Sequence, residues 1–214
     1  MAALSKLEQA GHHIGEAVEH VVDEAQAEHA ETSTGLDHRK LVMWVFIASE
    51  TIFFAALMAT YLVFRGRTPY AEGLEHLDLN VASANTFILL ASSLTMVLSL
   101  QAIESGKKGR MIVLLILTAV LGGLFLGGQA FEYNELFTHE VSLGTNLFGA
   151  TFFTLTGFHG AHVAVGVLWI TALIVRALRG GISEHNHLAV ELGGLYWHFV
   201  DLVWVVLFTI IYLI

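Results

Sequence analysis

Five long apolar runs separated by short polar stretches set the pattern of this chain. They cover about Leu41–Phe64, about Val81–Ile103, a run from near Met111 that turns polar at Gln129–Glu135, about Asn146–Leu178, and Glu191–Ile214. Each has the length, roughly 20 residues, that a helix needs to cross a bilayer. The pattern predicts an all-α polytopic membrane bundle of five transmembrane helices. Residues 1–37 are different. There Leu7, Ile14, Val18, Val21 and Ala25 recur at helical spacing opposite an acidic face of Glu8, Glu16, Glu19, Asp23, Glu24 and Glu28. That spacing predicts an amphipathic surface helix in a polar tail. The tail lacks a basic start followed by an apolar core, so it does not read as a signal peptide. The domain reading is a 1–37 tail followed by a 38–214 membrane domain.

The informative residues are the polar ones inside the runs. The last run carries His198 and Asp201, flanked by Trp197 and Trp204. Helical geometry places Trp197, Asp201 and Trp204 on one face. An imidazole and a carboxylate at that depth cost roughly 2–3 kcal/mol each, or more, so they are expected to face protein and be paired. A proton- or quinone-linked site is one reading. A polar clamp locking one helix to its neighbour is the other, and the one adopted, because no complete set of acid, base or metal ligands is present.

Glu50 lies near mid-bilayer in the first run, roughly 15 Å along the helix from Leu41. A lone carboxylate there is neutral unless paired. A proton-linked carboxyl and a hydrogen-bonded structural acid both remain open for it. In the second run Ser83, Asn85, Thr86, Ser92, Ser93 and Thr95 read as residues that cement helix contacts. The third has a small-residue face of Gly122, Gly123, Gly127 and Gly128, including Gly123-xxx-Gly127, then Gln129, Glu132, Tyr133 and Glu135, expected at the membrane interface. The fourth contains GFHGAHVAVG with His159 and His162. Haem ligation would need histidines on facing helices at matching depth, and His198 is the one candidate partner. Hydrogen-bonded packing histidines are the preferred reading. In the tail, His12, His13, Glu16 and His20 could converge on a metal, but a solvated helix docked on a partner is preferred.

Composition narrows the class. The chain is 55% hydrophobic and 14% charged, which suits a membrane protein rather than a soluble domain. It has no cysteine, which excludes disulfides, iron–sulfur clusters and thiolate chemistry. A net charge of −9 does not suit a nucleic-acid partner. The single proline, Pro69, falls in a loop, so the spans lack proline kinks. Lys6, Arg39, Lys40, Lys107, Lys108, Arg110, Arg176 and Arg179 fall on one side, and Arg65 and Arg67 on the other. This asymmetry predicts a cytoplasmic N-terminus and a C-terminus outside.

Five runs in one order are more specific than composition: FIASETIFF (Phe46–Phe54), NTFILLASS (Asn85–Ser93), GQAFEY (Gly128–Tyr133), TFFTLTGFHGAHVAVG (Thr151–Gly166) and YWHFVDLVW (Tyr196–Trp204). Together they closely resemble subunit III of haem–copper oxidases, above all the cytochrome c oxidase family, from about Arg39 to the C-terminus. The resemblance implies an accessory subunit with no haem or copper of its own. Such a subunit packs directly beside catalytic subunit I, which holds the redox metals, with subunit II and a small subunit IV in the complex. It stabilises subunit I and sustains its proton uptake. Cytochrome c is the expected donor, phospholipid is bound, and the location is a bacterial-type cytoplasmic membrane.

By the same resemblance Glu50 matches a buried carboxylate near a lipid cleft. His159, His162, His198 and Asp201 match intramembrane polar residues, Glu191 an acid opening the last span, and Gln129, Glu132 and Tyr133 the polar end of the third. Arg176, Arg179, His187 and Trp197 are the expected lipid contacts. The chain matches the five-span form and lacks the first pair of helices found in long members. Where many members have adjacent histidines it has Leu100 and Gln101, so no role carries over there. A quinol oxidase subunit and the homologous subunit of a nitric oxide reductase share the fold. A stand-alone di-haem cytochrome and a proton-coupled transporter are the rivals from other classes, and the internal repeat usual in transporters is not apparent.

Overall fold

The computed structural model describes residues 37–65, 77–144, 147–184 and 186–214. The tail helix and its histidine cluster lie outside the described residues. The helices are α1 (His38–Arg65), α2 (Leu79–Glu104), α3 (Lys108–Thr138), α4 (Leu147–Leu178) and α5 (Leu188–Phe208). All five, α5 with its continuation to Leu213, are long and apolar enough to cross a membrane. The expected all-α, five-span architecture is therefore present, with helix ends a few residues beyond those read from hydropathy. One feature was not foreseen: the chain leaves α5 through a π-helical turn, Thr209–Leu213.

The chain divides into two compact units, Met1–Val45 and Phe46–Ile214. In the first, the described residues are the opening turns of α1. Asp37 caps them, its carboxylate accepting the Arg39 N–H at 2.7 Å and its carbonyl the Leu41 N–H at 3.1 Å. In the second, α2 packs on α3, α3 on α4, α4 on α5, and α5 back on α2. These four helices form a closed ring of neighbours. Helix α5 is the most enclosed: 56% of its most apolar stretch is buried, against 28% for α3 and α4.

The core is built around two indoles of α5. Trp197 and Trp204, seven residues apart, are both buried. The Trp197 N–H donates to Ser92 Oγ on α2 at 2.9 Å, and its ring lies against Gly122 of α3 and Gly166 of α4. The Trp204 N–H donates to Thr86 Oγ1 on α2 at 2.9 Å, and its ring meets Phe125 of α3 edge-on at 4.8 Å. The other face of that ring stacks on His159 of α4 at 5.0 Å. Each indole thus touches all three other helices of the ring. A large apolar body with a single donor suits this position, because the donor must be satisfied where no water reaches it.

Glycines make room for the first indole. A methyl placed on Gly122 would stand 2.6 Å from the Trp197 ring, and one on Gly166 would stand 2.7 Å from it. Gly123 and Gly127, expected to form the close-approach face, have open space around them. Of the four glycines on that face, Gly122 and Gly128 make the close approaches, to Trp197 and Asn85, while the Gly123-xxx-Gly127 pair faces outward.

Three helix ends close with the same hydrogen-bond pattern. Lys107 N–H reaches back to Ala102 O at 2.8 Å, Val141 N–H to Leu136 O at 3.0 Å, and Gly181 N–H to Arg176 O at 3.0 Å. The left-handed residue is Gly106 at φ 70° and Gly180 at φ 87°, but Glu140 at φ 61° after α3. A side chain in that region costs about 1–2 kcal/mol.

Two expectations follow. Gly122→Ala and Gly166→Ala should each lower stability by about 1–3 kcal/mol through overpacking, while Gly123→Ala and Gly127→Ala stay near neutral. Glu140→Gly should raise stability by up to about 1 kcal/mol, and Gly180→Ala should lower it by a similar amount. Unfolding titrations of the subunit in mixed micelles measure all six.

Candidate functional site

The polar residues of the spans form two groups. The first lies between α1 and α4. His162 Nε2 is 3.2 Å from Glu50 Oε2, and His162 Nδ1 is 2.7 Å from the Phe158 carbonyl. Both side chains are about one-fifth exposed, 19% for His162 and 21% for Glu50. The Tyr196 hydroxyl of α5 donates to the His162 carbonyl at 2.9 Å. Phe54 packs edge-on against His162 at 5.0 Å, and Phe53 against Phe158 at 5.1 Å. Glu50 therefore has the partner on a neighbouring helix that one of its two readings required.

The second group lies between α2 and α5. Ser93 Oγ is 2.7 Å from His198 Nδ1. The buried Asp201 carboxyl interacts with the same Ser93 hydroxyl, at a looser geometry than the His198 contact. Asp201 thus faces protein and shares the α2 hydroxyl of Ser93 with His198. His198 holds Ser93, and the contacts from α5 to α2 are made by the two indoles and by His198.

His159 is enclosed. It has no exposed surface, stacks on Trp204, and lies edge-on to Phe125 at 5.8 Å and Phe54 at 6.3 Å. Neither ring nitrogen has a hydrogen-bond partner. The three intramembrane histidines do not converge: His162 meets Glu50, His198 meets Ser93, and His159 meets aromatic rings. Among the described residues, no three His, Cys, Asp or Glu side chains are grouped as a metal would require.

The polar end of α3 also needs correction. Gln129, expected at an exposed interface, is buried, and its Nε2 donates to the Thr156 carbonyl at 3.3 Å. The Tyr133 hydroxyl is 2.7 Å from Thr156 Oγ1. Glu132 accepts from the Tyr212 hydroxyl at 2.7 Å, tying α3 to the π-helical turn. Helix α3 has 31 residues, so Gln129, Glu132 and Tyr133 lie beside α4 and the C-terminal turn, while Asn134 and Glu135 beyond them are exposed. Sequence reasoning missed Arg65, whose guanidinium donates to the Ile210 carbonyl of the π turn. The signal was a basic residue at the end of α1, read as a topology marker alone.

The expected lipid contacts divide. Arg176 and Arg179 are exposed and line an open groove of about 520 Å³ with Leu168, Thr171, Ala172, Val175 and Gly181. His187 is the residue preceding α5, its Nδ1 2.6 Å from the Glu184 carbonyl, and Glu191 lies in the first turn of α5. Trp197 has no exposed surface and touches protein alone, so its place among the lipid contacts is corrected. Its neighbours Ser92, Gly122 and Gly166 enclose it before lipid can.

The chain matches the family described as cytochrome c oxidase subunit III over residues 12–214. It belongs to the cytochrome c oxidase subunit III family. A cytochrome c oxidase subunit 3 of Bacillus sp. (strain PS3) is 38% identical over 174 residues, covering 81% of this chain and 84% of the relative. One from Synechocystis sp. is 39% identical over 181 residues, covering 83% and 76%. A quinol oxidase subunit 3 of Bacillus spizizenii is 32% identical over 197 residues, covering 87% and 96%. As a subunit III family member, this multi-pass membrane chain associates with other oxidase subunits.

Glu50→Gln should keep the contact with His162, because the amide can still hydrogen bond to Nε2. Glu50→Leu should cost about 1–3 kcal/mol by leaving that nitrogen unpaired. The measurement is the denaturant midpoint of the detergent-solubilised subunit. Equal midpoints for the two variants would remove the Glu50–His162 contact from the account.

Proposed function

We propose that this chain is the accessory subunit of a proton-pumping haem–copper terminal oxidase that draws electrons from cytochrome c and reduces oxygen to water. It carries no redox centre. Haem and copper belong to catalytic subunit I, which this chain packs against and stabilises and whose proton uptake it sustains. Subunit II and a small subunit IV share the complex. The observation that carries this reading is how polar groups are used inside the spans. The indoles, hydroxyls and amides tie α2, α3, α4 and α5 together, and the histidines take three separate environments. That economy serves attachment and shape. The two cytochrome c oxidase relatives match at 38% and 39%, above the 32% of the quinol oxidase relative, which favours cytochrome c as donor. A quinol oxidase is the second reading.

The Lys and Arg asymmetry supports a cytoplasmic N-terminus in a bacterial cytoplasmic membrane. The groove under Arg176 and Arg179 suits a phospholipid, with its phosphate at the guanidinium groups and an acyl chain along Leu168, Ala172 and Val175.

The test is purification in mild detergent through a tag on this chain, followed by a visible spectrum, metal analysis and turnover with reduced cytochrome c or quinol. Haem and copper on a co-purifying large subunit, none on this chain after separation, and oxidation of cytochrome c are expected. Haem retained by the separated chain would overturn the reading, with His159, His162 and His198 the first ligands to replace. Orientation is tested by single cysteines in this cysteine-free chain. Cysteine at Ser105 should react with an impermeant maleimide from the cytoplasmic side, and cysteine at Asn134 from the outside.

A further inference from the structure

Two arginines of the bundle are spent on carbonyls. Arg65 donates to the Ile210 carbonyl, and Arg176 Nε donates to the Gly181 carbonyl at 3.2 Å. The turn between α2 and α3 is different. Lys107, Lys108 and Arg110 lie within four residues there, and no side chain of the three has a hydrogen bond or ion pair among the described residues. They stand at the start of α3, which has no acidic residue in its first turn and no side-chain cap. A helix start carries partial positive charge, so cations there repel it unless an anion meets them. Basic residues on this side of the membrane follow the rule that sets topology. That rule is indifferent to how their side chains are arranged.

Here the arrangement is specific. Lys107 and Arg110 line a cavity of about 130 Å³ with Gln101, Ala102 and Ser105. Lys108 is not part of its wall. Neither is Glu104 of the adjoining turn, nor Glu184, whose carboxylate lies over Gly106. The cavity is therefore rich in donors and free of carboxylates. Lys107 brings an ammonium, Arg110 a planar guanidinium and Gln101 an amide N–H pair. The Ser105 hydroxyl donates to the Gln101 carbonyl at 2.8 Å and can rotate toward a ligand. Beside these side chains, the backbone N–H groups of Gly109 and Arg110 have no backbone partner among the described residues. A methyl placed on Gly109 would meet nothing within 4 Å, so the approach to them is open. An ammonium and a guanidinium across a small cavity, with neutral donors between, suit the oxygens of a phosphate.

We propose that this cavity binds a phosphate group between the Lys107 ammonium and the Arg110 guanidinium, with the Gln101 amide and the Ser105 hydroxyl on its remaining oxygens. A phosphate held there neutralises the start of α3 and ties it to the end of α2 where the chain reverses. The turn joins the ends of two membrane-spanning helices, so it lies at the level of lipid head groups. The phosphate can thus come from a phospholipid or from a soluble phosphate compound. The site shares no residue with the groove under Arg176 and Arg179, and it does not depend on the oxidase reading.

The test is lysine footprinting of the protein as purified in mild detergent, with the subunits that accompany it. A water-soluble acetylating reagent is applied, and modification of Lys107 and Lys108 is read separately by peptide mass spectrometry. The probes are inorganic phosphate, phosphatidylglycerol and oleate, which is anionic but has no phosphate. Phosphate or phosphatidylglycerol should slow acetylation of Lys107 several-fold while Lys108 changes little. Protection by inorganic phosphate assigns the site to soluble phosphate compounds, and protection by phosphatidylglycerol alone assigns it to a lipid head group. A lipid carried through purification shows as protection of Lys107 without added probe. Arg110→Gln should remove most of the protection in each case, and Lys108→Gln, which deletes the same charge outside the cavity, should keep it. The unfolding midpoint of each variant without probe controls for folding.

Equal protection of Lys107 and Lys108, or equal losses from Arg110→Gln and Lys108→Gln, would reduce the effect to general charge attraction and overturn the site. Protection by oleate as strong as by phosphatidylglycerol would overturn the phosphate assignment. Lys107 that reacts freely with every probe, and no faster in Arg110→Gln, would overturn the proposal outright.

Discussion

Two hydrogen bonds from indole to hydroxyl, Trp197 to Ser92 and Trp204 to Thr86, hold the most buried helix in place. Water is absent at this depth, so each N–H must find an acceptor within the protein, and only certain rotations of α5 provide one. The same two rings occupy the centre of the four-helix ring. One rests on glycines and the other between Phe125 and His159. Apolar packing alone specifies such a bundle poorly, because lipid tails are as apolar as the helices. Here volume and polarity fix the same register. The glycines accept one orientation of Trp197, and the serine accepts its donor in that orientation.

The other polar contacts extend this arrangement outward. Thr95 and Thr118 join α2 to α3 through hydroxyls 2.8 Å apart, and Asn85 donates to the Phe125 carbonyl at 3.1 Å. Gln129 and Tyr133 reach Thr156 on α4. Near the C-terminus, Tyr212 holds Glu132, and Arg65 satisfies the carbonyl of Ile210 within the π turn. A subunit whose polar groups are spent mainly on its own helices is suited to present a fixed surface to other oxidase subunits.

Much of this was legible in the sequence, for reasons that differ from residue to residue. The five spans follow from hydropathy, because the bilayer leaves few alternatives to a helix. The shared face of Trp197, Asp201 and Trp204 follows from the helical repeat. The family was legible from ordered runs such as TGFHGAHVAVG and YWHFVDLVW. Partners were less legible. Spacing states which residues share a face but not which neighbour that face meets. So the Gly123-xxx-Gly127 pair was singled out although Gly122 and Gly128 of the same face make the contacts, and Trp197 was placed at lipid although it sits at the centre. The burial of Gln129 was hidden because a polar residue near a helix end reads as interfacial until the length of the neighbouring helix is known.

The central claim is that the indole donors, and not only the ring volumes, lock α5 to α2. A double-mutant cycle at Trp204 and Thr86, using Trp204→Phe and Thr86→Val in unfolding titrations in mixed micelles, tests it most directly. The account predicts a coupling energy of about 0.5–1.5 kcal/mol between the two positions. Additive effects, with no coupling beyond error, would contradict it and leave the glycine-lined packing of the rings as the sole basis of the arrangement.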